Sequence, residues 1–255
     1  MSAGADALRE GMTVARHTLA LAACAVLAAC GPRAPVPDNR VSDKDFPRPL
    51  RGVGAPQASP LASERVRDDL GEAQTVMDLA KIAPGMTVAD IGAGEGYYTV
   101  RLAERVGPKG RVLAQDIDGG AMQRLGLRIE RERLATVSIK QGAPDDPRLP
   151  KASFDRVFLV HVYSEVSDPY PFLWRLRPAL RPAGKVVVVE RMPGAPGGDG
   201  LSPKQVMCEF GEVGFRLVEF SLKPEIAGYY AEFAAEGARP QPEAIRPCRS
   251  DGTPA

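Results

Sequence analysis

Val88-Ala89-Asp90-Ile91-Gly92-Ala93-Gly94-Glu95-Gly96-Tyr97 decides how this chain is read. An apolar run carrying one aspartate ends at Ile91, and glycines then stand at every second position. Glycine has no Cβ, so such a loop turns tightly and lets backbone N–H groups approach a ligand. The residues from about Gly96 to Val106 have helical apolar spacing and stop at Gly107-Pro108. A lone glycine loop after a strand is weak evidence, because nicotinamide and flavin domains carry one too. Two details sharpen it. The spacing is Gly-x-Gly-x-Gly rather than Gly-x-Gly-x-x-Gly, and Asp90 precedes the first glycine by two residues on the strand itself.

Strands and helices alternate outward from this loop. Apolar runs predict strands over Met86–Ile91, Arg111–Asp116, Val137–Lys140, Phe154–Val160 and Lys185–Glu190. A helix over Gly120–Leu134 turns Met122, Leu125 and Ile129 inward. Asp168 is placed to cap another that begins at Pro169 and carries Phe172, Leu173 and Leu176. Upstream, Ser63 is placed to cap a helix with Val66, Leu70, Ala73, Met77 and Ala80 on one face. Downstream, a helix over Pro203–Val213 leads to two alternating segments, Phe215–Leu222 and Tyr229–Phe233. The turn from Pro224 to Gly228 makes them an antiparallel hairpin at the sheet edge. The expected class is α/β: a doubly wound, Rossmann-like, seven-stranded sheet, mostly parallel with an antiparallel C-terminal hairpin strand. The domain is expected over residues 61–236, with 237–255 an irregular tail.

Asp90-Ile91-Gly92-Ala93-Gly94-Glu95-Gly96 resembles motif I of the class I S-adenosylmethionine (SAM)-dependent methyltransferases. The resemblance runs from about Ala83 to Phe233. Gly107-Pro108-Lys109-Gly110-Arg111-Val112 leads to Asp116, similar to the family's acid at the end of strand two. Ser153-Phe154-Asp155-Arg156-Val157 looks like the entry to strand four, and Leu176 to Lys185 like the helix-turn before strand five. The closing hairpin resembles the family's reversed last strand, which dinucleotide-binding Rossmann domains lack. The resemblance implies SAM as cofactor. Expected binding residues are Asp90, Gly92, Gly94, Gly96, Tyr97, Asp116, Ala143 and Asp145. Asp116 would accept from the ribose hydroxyls. Asp90 would hold the loop amides or the cofactor's amino group, or brace the loop. The family often has an acid directly after the glycine that follows strand three. Here Ala143 stands there, so adenine recognition falls to Asp145 or to backbone amides.

Methyl transfer from a sulfonium asks the protein mainly to position an acceptor and remove a proton. His161, Tyr163 and Glu165, at the end of strand four, are the catalytic candidates: His161 as base, the others as orienting groups. No metal spacing and no hydrolase elbow appears. The implied activity is methyl transfer to a small-molecule acceptor. The alternatives are a non-catalytic SAM- or nucleoside-binding lipoprotein of the same fold and a nicotinamide-dependent reductase.

The 255 residues carry a formal net charge of +1, which argues against an obligate nucleic-acid partner. Arg16 and His17 precede an apolar run, Thr18–Ala29, that is too short to span a bilayer. It ends in Leu27-Ala28-Ala29-Cys30, which resembles a bacterial lipoprotein lipobox. Residues 1–29 are then a signal peptide, with Met12 an alternative start, and Cys30 carries a membrane anchor in the periplasm. If the signal goes unused, the chain is cytoplasmic. Residues 30–60, rich in proline and charge, read as a disordered tether. Removal of Cys24 and lipidation of Cys30 leave Cys208 and Cys248. Cys208 lies opposite the face formed by Val206, Phe210 and Val213, so an exposed thiol in an oxidising compartment is expected to pair with Cys248.

Overall fold

The computed structural model describes residues 41–54, 63–195 and 200–255. The expected signal peptide, Cys30 and the tether outside residues 41–54 lie beyond the described residues. The sheet contains β1 (Thr87–Ile91), β2 (Arg111–Asp116), β3 (Val137–Gln141), β4 (Phe154–Val160), β5 (Leu180–Arg191), β6 (Phe215–Lys223) and β7 (Gly228–Ala235). Their order is β3-β2-β1-β4-β5-β7-β6, with β7 antiparallel to both neighbours. The C-terminal hairpin is therefore threaded: β7 slots between β5 and β6, and β6 becomes the edge. That is why Gly228–Phe233 is buried at every position, whereas Val218, Phe220 and Leu222 of β6 lie open to solvent.

The helices are α1 (Glu64–Asp69), α2 (Glu72–Leu79), α3 (Tyr97–Val106), α4 (Gly119–Glu132), α5 (Pro169–Leu176) and α6 (Pro203–Glu212). They cover both faces, so the central strands are mostly apolar, with Asp90, Asp155 and Arg156 the charged exceptions in β1 and β4. Side chains alternate across a strand. Ala89, Ile91, Val157, Leu159, Val186 and Val188 accordingly pack with α5 and α6. Val88, Phe158, Val160, Val187 and Val189 pack on the other face with α2 and α3. From β1 the chain steps outward to β2 and β3, then returns across the sheet to β4. Strand order reverses there, and the crevice beyond the carboxyl ends of β1 and β4 is where such sheets bind ligands.

Several expectations are corrected. The single helix from Ser63 breaks at Gly71, which adopts φ +64° between α1 and α2. Val66 and Leu70 are left exposed, while Ala73, Met77 and Ala80 are buried. Neither Ser63 nor Asp168 caps its helix with its side chain. The Asp168 carboxylate instead accepts from the Ser167 hydroxyl at 2.8 Å. β5 begins five residues earlier than expected, with an irregular step in register before Lys185.

Residues 41–54, read as tether, lie against the domain. Phe46 is buried and meets Trp174 edge-on, ring centroids 5.6 Å apart. The tail after Gly237 is irregular but packed. Trp174 Nε1–H donates to the Pro240 carbonyl at 2.9 Å, and Ile245 and Cys248 are buried. Cys208 on α6 stands at disulfide distance from Cys248, Cα atoms 6.0 Å apart, and the two are joined. Cys208 is half-buried rather than exposed.

Candidate active site

A cleft of about 320 Å³ opens at the strand-order reversal. One half is built over β1, β2 and β3 by Ile91, Gly92, Gln115, Asp116, Ala143 and Pro144. The other is built around the end of β4 by His161, Val162, Glu165 and Val166. Phe172 of α5 and Val53 and Gly54 of the N-terminal segment complete the wall.

Of the three loop glycines, Gly92 lines the cleft, and Gly94 and Gly96 stand outside its lining. Gly92 has φ +68°, and a Cβ there would come within 2.4 Å of a Val162 methyl, so only glycine lets the β1 and β4 ends close together. Gly96 has φ +92°, and a Cβ there would meet Leu125 at 2.5 Å. Asp116 turns onto this loop. Its Oδ2 accepts the Gly94 N–H at 2.8 Å and its Oδ1 accepts the Asp118 N–H at 2.9 Å. A carboxylate has about four acceptor sites. Each oxygen therefore keeps capacity for a ligand hydroxyl, at the edge of the cleft where a ribose would lie.

Asp90 is enclosed at the end of β1, beneath the loop. It is 3% exposed, and the Thr99 hydroxyl donates to its Oδ2 at 2.6 Å. Through that bond it braces the loop, tying β1 to α3. Burial outweighs the Thr99 bond and pushes its carboxyl up to about 6. Folding then takes up a proton at this site, and its contribution to stability falls as pH rises through that value. Asp90→Asn should remove the fall. Relative to the parent, the variant should gain up to about 3 kcal/mol between about pH 4 and pH 7 in urea denaturation.

Tyr97 lies outside the cleft. Its hydroxyl donates to Asp68 at 3.0 Å, and the guanidinium groups of Arg67 and Arg101 each stack 3.8 Å from its ring. Asp145 also points elsewhere, paired with Arg175 of α5. Ala143 lines the cleft, but its N–H is committed to the Asp146 carbonyl at 2.8 Å, and the Gly142 N–H to the Asp116 carbonyl at 3.0 Å. Those two amides are not free to read an adenine edge.

The catalytic candidates separate at the turn Tyr163–Glu165, a short 3-10 segment after β4. Tyr163 points into the core, fully buried, and donates to Glu209 of α6 at 2.7 Å. Burial and the Glu209 charge drive its phenol well above the ordinary range, so it is neither accessible nor a proton carrier. Glu165 points into the cleft. Burial, then the charges of Glu190 and Asp116, raise it to about 7. His161 lines the cleft at φ +55°, a strained backbone for a non-glycine residue. Its Nε2 lies 3.4 Å from Glu72 Oε1, and neither ring nitrogen makes a hydrogen bond. Burial would raise Glu72, but His161 and Arg67 outweigh it and hold the carboxyl at about 2.

Sequence reading missed Arg51. Its Nε donates to Glu209 at 2.8 Å, and its terminal nitrogens donate to the carbonyls of Tyr163, Ser164 and Val166 at 3.0–3.3 Å. Gly54 N–H adds a bond to the Ser164 carbonyl at 2.9 Å. One arginine thus pins the turn that presents Glu165.

Comparison with known proteins agrees with the geometry. The methyltransferase-domain family model matches residues 89–188. Over 121 residues the chain is 31% identical to a nocamycin O-methyltransferase of Saccharothrix syringae, covering 48% of this chain and 43% of that protein. Over 122 residues it is 27% identical to a demethylmenaquinone methyltransferase of Lactococcus lactis, covering 48% of each. The chain spans about half the length of these curated relatives. A crystal structure of a SAM-dependent methyltransferase from Aquifex aeolicus superposes with a TM-score of 0.60 at 22% identity, over 66% of this chain and 90% of that one. The strand order with its reversed β7 separates this sheet from a dinucleotide-binding one and removes support for a nicotinamide reductase. Residues 89–188 are similar to the methyltransferase-domain family, and they lie within a seven-stranded sheet of the Rossmann-like methyltransferase fold.

Proposed function

We propose that this chain transfers a methyl group from SAM to a small-molecule acceptor bound over the end of β4. The observation that carries the reading is Asp116 turned onto the Gly94 amide at the rim of the cleft. Its carboxylate would take the ribose hydroxyls, and the glycine loop would admit the rest of the donor. When bound, the donor supplies an activated methyl group, so the protein's task is placement and removal of a proton. Glu165 is the cleft's candidate for that proton; Tyr163 drops out of the role, and so does His161, whose ring nitrogens are both buried, Nε2 beside Glu72. The relatives, an O-methyltransferase and a demethylmenaquinone methyltransferase, support a small acceptor. Incubation with SAM and an acceptor library should release S-adenosylhomocysteine. Donor binding with no turnover across the library would favour the non-catalytic binding protein.

Export is a separate part of the proposal. The lipobox-like Leu27-Ala28-Ala29-Cys30 supports a lipid-anchored periplasmic protein, and the Cys208–Cys248 pairing suits an oxidising compartment. In a bacterial host, labelled palmitate should enter the full chain and not its Cys30→Ser variant. Equal labelling of the two would refute the anchor.

A further inference from the structure

The acceptor half of the cleft has a chemical bias. Among the described residues, no hydrogen bond or ion pair holds the Glu165 carboxyl. The charged and titratable groups around it are Glu190 from β5, Asp116 from β2 and His161 from β4. Arg51 lies behind the same turn, but its guanidinium is occupied by Glu209 and by backbone carbonyls. No lysine or arginine lines the cleft among the described residues. Apart from the buried Gln115 of β2, the remaining wall is apolar: Val53, Val166 and Phe172 beside the β4 end, with Ile117 and Pro144 on the donor half.

We propose that the acceptor is an amine carried on an apolar or aromatic skeleton, and that Glu165 both attracts it and takes the proton it releases. This rests on the methyl-transfer reading above. A carboxylate or phosphate acceptor would lose its hydration here with no cation to replace it. A positively charged amine meets the opposite sign, and the apolar walls take its skeleton. In the transfer itself, the bound ammonium first gives one proton to the Glu165 carboxylate, which frees the nitrogen lone pair. That lone pair forms the new N–C bond as the C–S bond breaks with its electron pair going to sulfur. The proton cancels the carboxylate charge and the sulfonium charge passes to nitrogen, leaving a neutral acid, a neutral thioether and an N-methylated ammonium. A carboxyl that titrates near 7 suits this proton transfer at neutral pH.

The test is calorimetry on the full chain saturated with S-adenosylhomocysteine. Its probes share one skeleton: 2-phenylethylamine, 2-phenylethanol and 3-phenylpropanoate. At about pH 8 the amine should bind about ten-fold more tightly than the alcohol, with the carboxylate weakest. The preference should grow as pH rises through about 7, where Glu165 ionises, and should vanish in Glu165→Gln. An alcohol or carboxylate bound as tightly as the amine overturns the proposal, as does a preference that survives Glu165→Gln. Failure of S-adenosylhomocysteine to bind overturns the donor reading beneath it, and shows itself before any amine is added.

Discussion

Arg51→Met should cost about 3–5 kcal/mol of folding free energy, because it leaves a buried charge without its partner. The Arg51 side chain is 7% exposed and Glu209 is fully enclosed. With the guanidinium gone, Glu209 keeps only the Tyr163 hydroxyl and the Gln205 amide, at 2.7 and 2.9 Å. The carbonyls of Tyr163, Ser164 and Val166 lose a donor at the same time. Arg51→Lys keeps the charge but not the planar fork that reaches all these acceptors, so its loss should be intermediate. Urea denaturation of the three proteins measures this directly. A loss below about 1 kcal/mol for the methionine variant would mean that the clamp is an exposed surface pair in solution.

Asp116→Ala should weaken SAM binding by about 100-fold or more, since two hydrogen bonds to a charged group at about 1.5–3 kcal/mol each are lost together. The carboxylate also orders the glycine loop through Gly94, so the loop loosens as the ligand contact disappears. Asp116→Asn retains one acceptor and should fall between parent and alanine variant. Calorimetric titration with SAM decides the matter. Unchanged affinity in the alanine variant would remove the basis for placing the ribose at this residue.

The sequence exposes the fold well because its strongest signals are local. β2 and β4 are read to the residue, since an apolar run bounded by turns can be nothing else in an alternating pattern. The glycine loop and Asp116 are legible for the same reason: strand, loop and acid follow one another at short range. What escapes is direction. Tyr163 and Glu165 are two residues apart, and the 3-10 turn sends one into the core and the other into the cleft. Tyr97 follows the last glycine, yet the helix turns its ring toward α1 and two arginines. Asp145 is claimed by Arg175, thirty residues later in the chain. Arg51 reaches Glu209 across a separation of 158 residues, and no local pattern marks such a pair. The proline-rich composition around Arg51 argued for tether, when one buried ring and one caged cation suffice to fasten it.

The bond between Cys208 and Cys248 closes a loop that contains both β6 and β7, which pair with each other while β7 also lies against β5. An unfolded chain carrying that ring, closed over a separation of 40 residues, has far fewer conformations. By chain-entropy arithmetic the restriction favours the native sheet by about 4 kcal/mol. The hoop holds β6 and β7 near each other in the unfolded chain, while β5, the other neighbour of β7, lies outside it. Thiol-reducing surroundings would open the hoop and withdraw that advantage from the domain as a whole, the strands that carry the glycine loop and Asp116 included.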